Sequence, residues 1–184
     1  YCEPFADSGY GNDAFPTGWK RFTSYNNNDY LHIVSDNDAV DNRPLRFHIY
    51  RDLYSYAVLP DFVIDSVKHL NISVSMWSQS GTNPAEEFLE VGVMDNMDDI
   101  ASFVVVDTIQ NSDVGCWQEL SASLSNYNGN GRFIALRMRE LSGNWRSIYL
   151  DHIEISDCNI PTGVSATLHG RRTVRINAPE QSST

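Results

Sequence analysis

Asp151 is the residue of this chain whose setting most directly calls for chemistry. It lies in the segment 148–155, where alternation of apolar and polar residues places it on the strand face of Ile153 and Ile155. A carboxylate on an apolar face must be compensated, because burying an unpaired charge is costly. Arginine, backbone amides or a metal ion could compensate it. Oxygen ligands are abundant here, so a metal would be a hard cation, with Ca²⁺ the best fit; the alternative is a structural acid satisfied by protein groups.

Aromatic residues raise a second possibility, the binding of carbohydrate. The chain has 4 Trp and 9 Tyr, and flat aromatic faces stack on sugar rings while neighbouring Asn, Asp and Arg bond hydroxyl groups. Trp77 falls on the polar side of its segment, Tyr127 lies in a Gly/Asn-rich loop, and Trp145 follows Gly-Asn. These three are the candidate ligand-binding residues. The alternative is that each ring covers an edge of the core, because large aromatics are seldom fully exposed.

Signatures of catalysis are missing from the sequence. There is no G-x-S-x-G elbow, no H-E-x-x-H and no phosphate-binding glycine loop. The 5 histidines are scattered singly, and no cysteines have C-x-x-C spacing. We therefore expect a protein that is not an enzyme, although abundant acids leave a glycosidase pair of carboxylates open on spacing alone.

The elements that must position these residues are strands, because the dominant hydrophobic period is two. In the segment 70–77, Leu70, Ile72, Val74 and Met76 share one face and polar residues share the other. Turn-forming Asn, Asp, Gly and Ser separate such segments. No amphipathic helix of ten residues is convincing, so the pattern predicts an all-β sandwich. Further strands are predicted at 31–34, 45–50, 89–94, 103–109, 117–124, 132–139 and 173–176.

Charge and hydropathy limit the possible partners. The formal net charge is −11 at pH 7, which repels phosphate backbones and attracts cations, so we expect no nucleic-acid binding. No apolar run of about 18 residues is present, so we expect no membrane insertion. The mean hydropathy of −0.36 is typical of a globular chain. A composition rich in Asn, Ser, Asp and Tyr fits an extracellular β-protein.

A resemblance rests on the segments 3–5, 15–19, 55–60, 117–137 and 148–155, which in their order and spacing are similar to the cleaved-adhesin or choice-of-anchor J family. Residues 3–5 and 15–19 are similar to its "E-x-F … P-x-G-W" start, and residues 55–60 to its "S-Y-L-x-S-P" step. Residues 117–137 resemble the C-terminal half, and 148–155 its "Y-x-L-D-D-I" ending. The resemblance covers about residues 2–156. It implies a jelly-roll β-sandwich of two antiparallel sheets, related to meprin-type adhesion modules and found in secreted or cell-surface proteins of Bacteroidetes.

The same resemblance implies structural Ca²⁺. Carried over by position, Glu3 in the first strand and Asp151 in the last are the metal ligands, with Asp7 and Asp29 as further acids. Two departures remove possible ligands: His152 replaces the second Asp of the ending, and Ala6 stands where an acid often follows the Phe.

The resemblance also divides the chain at Cys158. Residues 1–158 form the adhesin-like sandwich, and 159–184 form a linker or a partial fibronectin type III-like segment, so we expect other domains in the same chain. Cys2 and Cys158 bracket the sandwich at its adjoining ends, and we expect a disulfide between them in a secreted setting; two unpaired thiols are the alternative.

Three functions follow from these observations. The first is a non-catalytic adhesion or ligand-binding module that recognises a host or matrix protein. The second is a carbohydrate-binding module that stacks a glycan on exposed aromatics. The third and weakest is a glycan hydrolase. The first two share a fold class, so the fold alone does not separate them.

Overall fold

The computed structural model describes the backbone of residues 2–3, 11, 14–34, 43–50, 53–62, 64–78, 88–113, 115–139, 145–157, 166–169 and 173–176. Side chains are described in the same ranges except 2–3, 166–169 and 173–176. The strands of the described part pair antiparallel into two larger sheets and one hairpin. The predicted all-β sandwich is therefore confirmed. No helix in these ranges has the length and apolar character needed to cross a membrane.

Two sheets form the sandwich. The six-stranded sheet holds β1 (Cys2–Glu3), β3 (Leu31–Ile33), β4 (Leu45–Ile49), β6 (Leu70–Ser78), β9 (Gln118–Ser123) and β11 (Arg146–Asp157). The five-stranded sheet holds β2 (Lys20–Thr23), β5 (Tyr54–Val58), β7 (Phe88–Met94), β8 (Val104–Gln110) and β10 (Phe133–Arg139). The hairpin consists of β12 (Ala166–His169) and β13 (Thr173–Ile176).

The strand order is that of a jelly roll. The six-stranded sheet runs β3-β4-β11-β6-β9, with β1 paired to β11, and the five-stranded sheet runs β2-β5-β10-β7-β8. Successive strands from β4 to β7 alternate between the two sheets, so neighbours within a sheet are distant in sequence. The first and last strands of the sandwich are adjacent, as the resemblance implied: Cys2 pairs with Glu154, and Glu3 with Ile153.

The core lies between the inner faces, and alternation within each strand fills it. On β6, Leu70, Ile72, Val74 and Met76 are buried as predicted. Sequence reasoning missed β5, whose residues are buried from Ser55 to Val58 without alternation. It lacks a polar face because both faces of this strand are covered.

The outer face of the five-stranded sheet carries its own small cluster. Val58, Met94 and Ala135 are buried there beneath a set of partly buried apolar residues, which are Phe22, Met97, Ile100, Phe103 and Phe133. Gly92 allows this layer to close, since a Cβ at that position would lie 2.3 Å from the Val104 carbonyl oxygen and 2.6 Å from the Phe103 ring. The part of this face around Gly92 is therefore shielded by the chain itself.

A buried ion pair strengthens the same covered face. Glu90 is only 4% exposed and accepts hydrogen bonds from the Nε groups of Arg137 and Arg139. The Arg137 guanidinium also lies 4.7 Å from the Phe103 ring centroid and donates to the Tyr56 hydroxyl. Burial opposes the charged form of Arg137, but its bonds to Glu90 and Tyr56 raise its pKa overall.

A β-bulge in β11 corrects one sequence prediction. Asp151 pairs with Ser75 and Ile153 with Val74, so His152 is an extra residue, and its φ is +47°. Paired residues share a face, and Val74 points into the core. Asp151 therefore lies on the opposite face from Ile153, not on the same face as predicted. The regular alternation was broken at a residue that is not glycine, and the sequence carries no sign of that.

The left-handed backbone at His152 leads to a stability prediction. A β-branched side chain is strained at positive φ, whereas glycine adopts it freely. We expect His152→Ile to unfold with a free energy about 1–2 kcal/mol lower than His152→Gly, measured by urea denaturation. Both variants lose the imidazole, so their difference reports the strain of a β-branched residue at positive φ, reduced by the larger conformational entropy that glycine loses on folding. Equal stability of the two would show that the bulge is not required.

Candidate functional site

The outer face of the six-stranded sheet presents aromatic and basic side chains in a continuous group. Alternation places Arg46 and His48 of β4, Tyr149 of β11 and Trp77 of β6 on this face. The register puts Tyr149 opposite both Arg46 and Trp77. Tyr50 follows β4 and Trp145 precedes β11, at positions that continue the same pairing. We refer to Arg46, His48, Tyr50, Trp77, Trp145 and Tyr149 as the platform.

Trp145 is the most exposed ring of the platform, with 51% of its surface accessible. Its indole stacks on His48 with a centroid distance of 4.6 Å and on Tyr50 with 4.8 Å, at interplanar angles of 10° and 20°. His48 is fixed in turn, since its Nδ1 lies 2.6 Å from the Ser147 hydroxyl oxygen. The indole is thus held in a defined orientation and does not swing free in solvent.

A second aromatic pair lies farther along β11. Trp77 and Tyr149 meet edge to face, with centroids 5.0 Å apart and an interplanar angle of 79°. Both side chains are half-buried. Tyr149 is four residues beyond Trp145, which corresponds to about 13 Å of strand. The platform therefore offers two aromatic positions separated by more than the width of one ring.

Arg46 sits between the rings and the buried His32. His32 Nδ1 donates to the Asn28 carbonyl at 3.0 Å, which leaves Nε2 to accept from Arg46 Nη2 at 3.3 Å. Arg46 Nε is buried and has no hydrogen-bond acceptor within the ranges described. No carboxylate in the described part of the chain lies within ion-pair distance of this guanidinium. It is a charged group with unused donors.

The two histidines beside Arg46 are held neutral. Burial is the main cause that lowers the pKa of His32 below its ordinary value, and the charge of Arg46 lowers it further. The same two causes, in the same order, lower the pKa of His48. The charge of Asp29 acts on both in the opposite direction but does not prevail. At neutral pH the guanidinium is therefore the positive charge of this group.

The structure places the three predicted ligand-binding aromatics differently. Trp77 and Trp145 lie on the platform. Tyr127 was expected to be exposed in its loop, but it is 5% exposed and packs in the main core. Its hydroxyl accepts a hydrogen bond from Gly131 N at 2.8 Å. This corrects the expected exposure: the ring folds back under its own loop, and its small remaining surface lines a groove with Val104 and Val105. Its role in binding a ligand stays a prediction.

The predicted metal ligands are only partly brought together. Asp151 is fully buried, and its Oδ1 accepts a hydrogen bond from the His152 backbone N–H at 3.0 Å. The backbone of Glu3 is beside it on β1, but the Glu3 side chain and all of Asp7 lie outside the described residues. Asp29 is exposed in the 3-10 turn Asn28–Tyr30, and it precedes Leu31, which is level with Ile148. It therefore lies toward the other end of the sheet from Asp151.

The described residues contain no group of three or more His, Cys, Asp or Glu side chains that could hold a metal ion. Cys116 is exposed and free. The backbone of Cys2 is level with Glu154, whereas Cys158 lies outside the described ranges, so the Cys2–Cys158 disulfide stays a prediction.

Sequence reasoning missed four residues of the platform: Arg46, His48, Tyr50 and Tyr149. The alternation in 45–50 is compatible with an outward position for Arg46, His48 and Tyr50. Regular alternation in 148–155 instead put Tyr149 on the face of Ile153 and Ile155, because the bulge at His152 was not foreseen. What the sequence lacked was the strand order that places β4, β11 and β6 side by side.

Comparisons with known proteins support the fold. No family model matches the sequence, and no curated protein matches it. Among solved structures, the K2 cleaved adhesin domain of Lys-gingipain is similar, with a TM-score of 0.63 at 12% identity over 85% of this chain and 98% of that one. The K1 cleaved adhesin domain of Lys-gingipain from Porphyromonas gingivalis W83 gives 0.61 at 14% identity over 85% and 97%.

A carbohydrate-binding structure is also similar. The CBM22-1 xylan-binding domain of Paenibacillus barcinonensis Xyn10C has a TM-score of 0.57 at 13% identity, covering 87% of this chain and 94% of that one. At these identities the likeness concerns the fold. It confirms that the chain has the fold of cleaved adhesin domains, which is shared with carbohydrate-binding modules.

The neutral histidines lead to a prediction for pH. Because folding lowers both pKa values, the native state binds fewer protons than the unfolded state, and stability rises with pH. Their contribution is complete above the ordinary histidine pKa of 6.5 and is lost as the pH falls below it. We expect the unfolding free energy of the wild type to drop between about pH 7.5 and 5.5.

Variants test the assignment of this pH effect. The double variant His32→Asn/His48→Asn is expected to show a flatter pH profile in urea denaturation. His69→Asn, at an exposed histidine off the platform, is expected to keep the wild-type slope. An unchanged slope in the double variant would contradict the assignment.

Proposed function

We propose that this chain is a non-catalytic carbohydrate-binding module that holds a glycan on the platform. The observation that carries the proposal is the half-exposed indole of Trp145, oriented by stacking on His48 and Tyr50. An aromatic ring fixed before binding loses little conformational freedom when a ligand arrives, and this favours affinity.

The surroundings of Trp145 suit a sugar chain. Tyr149 carries a hydroxyl group on the same face, and the Nη1 group of Arg46 has no acceptor among the described residues and could donate to sugar hydroxyls. The pair Trp77 and Tyr149 supplies a second aromatic position about 13 Å along β11. A glycan of several units would touch both positions, whereas a single sugar would touch one.

The comparisons support a binding role without choosing the ligand. One similar structure is named as xylan-binding and two others as adhesin domains. A fold of this kind hosts several functions, so the ligand must be argued from the surface. The platform argues for a glycan.

A protein ligand, as expected of an adhesion module for a host or matrix protein, is the second candidate. Val104 and Val105 are 51% and 42% exposed on β8, which is the outer strand of the five-stranded sheet. They line a groove of about 750 Å³ together with Asp95 and the loop 126–130. Exposed apolar residues beside a groove are typical of contact surfaces for proteins.

The setting of the module is part of the proposal. An adhesin-like fold and a surface that binds glycans fit a secreted or cell-surface protein with further domains in the same chain. The described strands β12 and β13 pair as a hairpin in the segment after Cys158. We propose that this segment is a linker or the partial fibronectin type III-like unit expected from the sequence.

Substitution of Trp145 tests the glycan proposal. We expect Trp145→Ala to weaken binding at least tenfold for a glycan that the wild type binds on a glycan array. The substitution removes the stacking ring and leaves the core untouched. Tyr25→Ala is the matched control, because Tyr25 is an 86% exposed aromatic outside the platform. Isothermal titration calorimetry gives both affinities.

Three outcomes would count against this proposal. They are the absence of binding to any glycan on a broad array, equal affinity of Trp145→Ala and wild type, and release of reducing sugar by the wild type. The last result, abolished by substitution of one Asp or Glu, would revive the hydrolase hypothesis.

We also propose structural Ca²⁺ near Asp151 and β1. The described side chains do not complete such a site, so the ion would need Glu3 or Asp7 together with Asp151. An ion that binds only the native state stabilises it by about 2.7 kcal/mol at a hundredfold excess over Kd. We therefore expect the melting temperature to rise with Ca²⁺ and to fall with a chelator.

Two matched substitutions locate the ion. Asp151→Asn is expected to abolish the Ca²⁺-dependent shift in melting temperature, and Asp29→Asn is expected to keep it, because Asp29 lies toward the other end of the sheet. A wild-type melt that responds to neither Ca²⁺ nor chelator disproves the site.

A further inference from the structure

We propose that the glycan bound on the platform is acidic, and that Arg46 pairs with the carboxylate of a hexuronate unit. This inference rests on the proposed function and names its ligand class. It makes Arg46 the residue that sets specificity, while Trp145 supplies general affinity for a sugar ring.

Arg46 lies where a ligand bound on the platform could reach it. It lies on the outer face, opposite Tyr149 in the register, and Tyr149 contacts Trp77. A sugar stacked along these aromatics places its substituents over the strand that holds Arg46. The residue as a whole is half-buried. Its Nε is buried and its Nη2 contacts the buried His32, so the Nη end of the guanidinium is the part that a ligand could reach.

Arg46 is a positive charge that no described acid neutralises in an ion pair. The charged and titratable groups that act on the same cluster are Asp29, Arg21, His32 and His48. Arg21 is occupied elsewhere, since its Nη1 donates to the Leu31 carbonyl and its guanidinium lies over Phe15. Asp29 is the acid acting on the histidines, but it forms no ion pair with Arg46 in the described structure. The chain has a net charge of −11, and among its described residues no acid pairs with Arg46.

Arg46 has hydrogen-bond donors that suit a carboxylate. Its Nη2 lies 3.3 Å from His32 Nε2, and this bond restricts the rotation of the guanidinium. Nε is buried without an acceptor among the described residues, and no described residue accepts from Nη1. The planar end formed by Nη1 and Nη2 matches a planar carboxylate, and such charge-assisted bonds are about twice as strong as neutral ones.

A carboxylate fits better than a more highly charged group. The two histidines beside Arg46 are neutral at pH 7, so the site has one positive charge to offer. A single hexuronate carboxylate balances that charge. A phosphate with nearly two charges would leave one unpaired in an acidic protein.

The test compares one polymer in charged and neutral forms. Polygalacturonate and its fully methyl-esterified form differ in the carboxylate and share the sugar backbone; alginate and hyaluronan add two further hexuronate polymers, and xylan and dextran sulfate are the controls. We expect at least one of these hexuronate polymers to bind. If polygalacturonate binds, we expect its affinity to be at least tenfold higher than that of its methyl ester. Affinity gel electrophoresis and calorimetry measure the ratio, and the binding should weaken as salt is added.

Variants assign the effect to Arg46. We expect Arg46→Gln to weaken binding of the hexuronate polymer at least tenfold and Arg46→Lys to retain part of it, because lysine keeps the charge but not the fork. Arg132→Gln is the matched control, since Arg132 is an exposed arginine paired with Asp61 off the platform. Urea denaturation of Arg46→Gln shows whether it remains folded, and Arg46→Lys carries the test if it does not.

Each remaining outcome overturns a specific claim. Binding of xylan or the methyl ester as tightly as of hexuronate polymers overturns the acidic ligand and leaves the glycan platform standing. Binding of dextran sulfate without any hexuronate polymer overturns the carboxylate. Wild-type affinity in both Arg46 variants overturns the role of that residue. Failure to bind any glycan overturns the proposed function together with this inference.

Discussion

The pairing of β11 with three other strands is the constraint on which the rest of the structure depends. β4 and β1 pair successive parts of one side of it, and β6 pairs the other side. Four of its apolar residues, Ile148, Leu150, Ile153 and Ile155, are buried in the core. They can all point inward only because the bulge at His152 restores the phase between the two halves of the strand. The same bulge turns Asp151 outward and leaves Trp145 and Tyr149 on the outer face.

The two outer faces of the sandwich have been used in opposite ways. On the five-stranded sheet, Gly92 admits the Phe103 ring and the Glu90–Arg137 pair is buried beneath it, so the chain covers its own surface. On the six-stranded sheet, rings stack on rings and one indole remains half-exposed. An aromatic surface with a half-exposed ring is the stronger candidate for a ligand. This difference between two sheets of one fold locates the site.

Much of the fold could be predicted from the sequence, because a strand with one solvent-exposed face shows an alternation of polar and apolar residues. Strands such as β4, β6 and β10 were found that way, and β5 was missed because both of its faces are covered. The exposure of Tyr127 was predicted wrongly, since a Gly/Asn-rich loop indicates a turn but does not say whether its one aromatic folds inward. Two of the platform rings were found as single aromatics. Their combination with Arg46 and His48 depends on strand order, and neighbours such as β4 and β11 are about a hundred residues apart, beyond what local sequence patterns reveal.

The seam between β1 and β11 has a mechanical consequence. Both described residues of β1 are paired, Cys2 with Glu154 and Glu3 with Ile153, and the antiparallel arrangement places the start of β1 and the end of β11 at the same end of the sheet. Tension between those two strand ends would separate the residue pairs of the seam one after another, and would not shear all of them at once. Under flow or traction this seam is the place where the sandwich would begin to open, and a covalent link across it would carry the force in place of the hydrogen bonds.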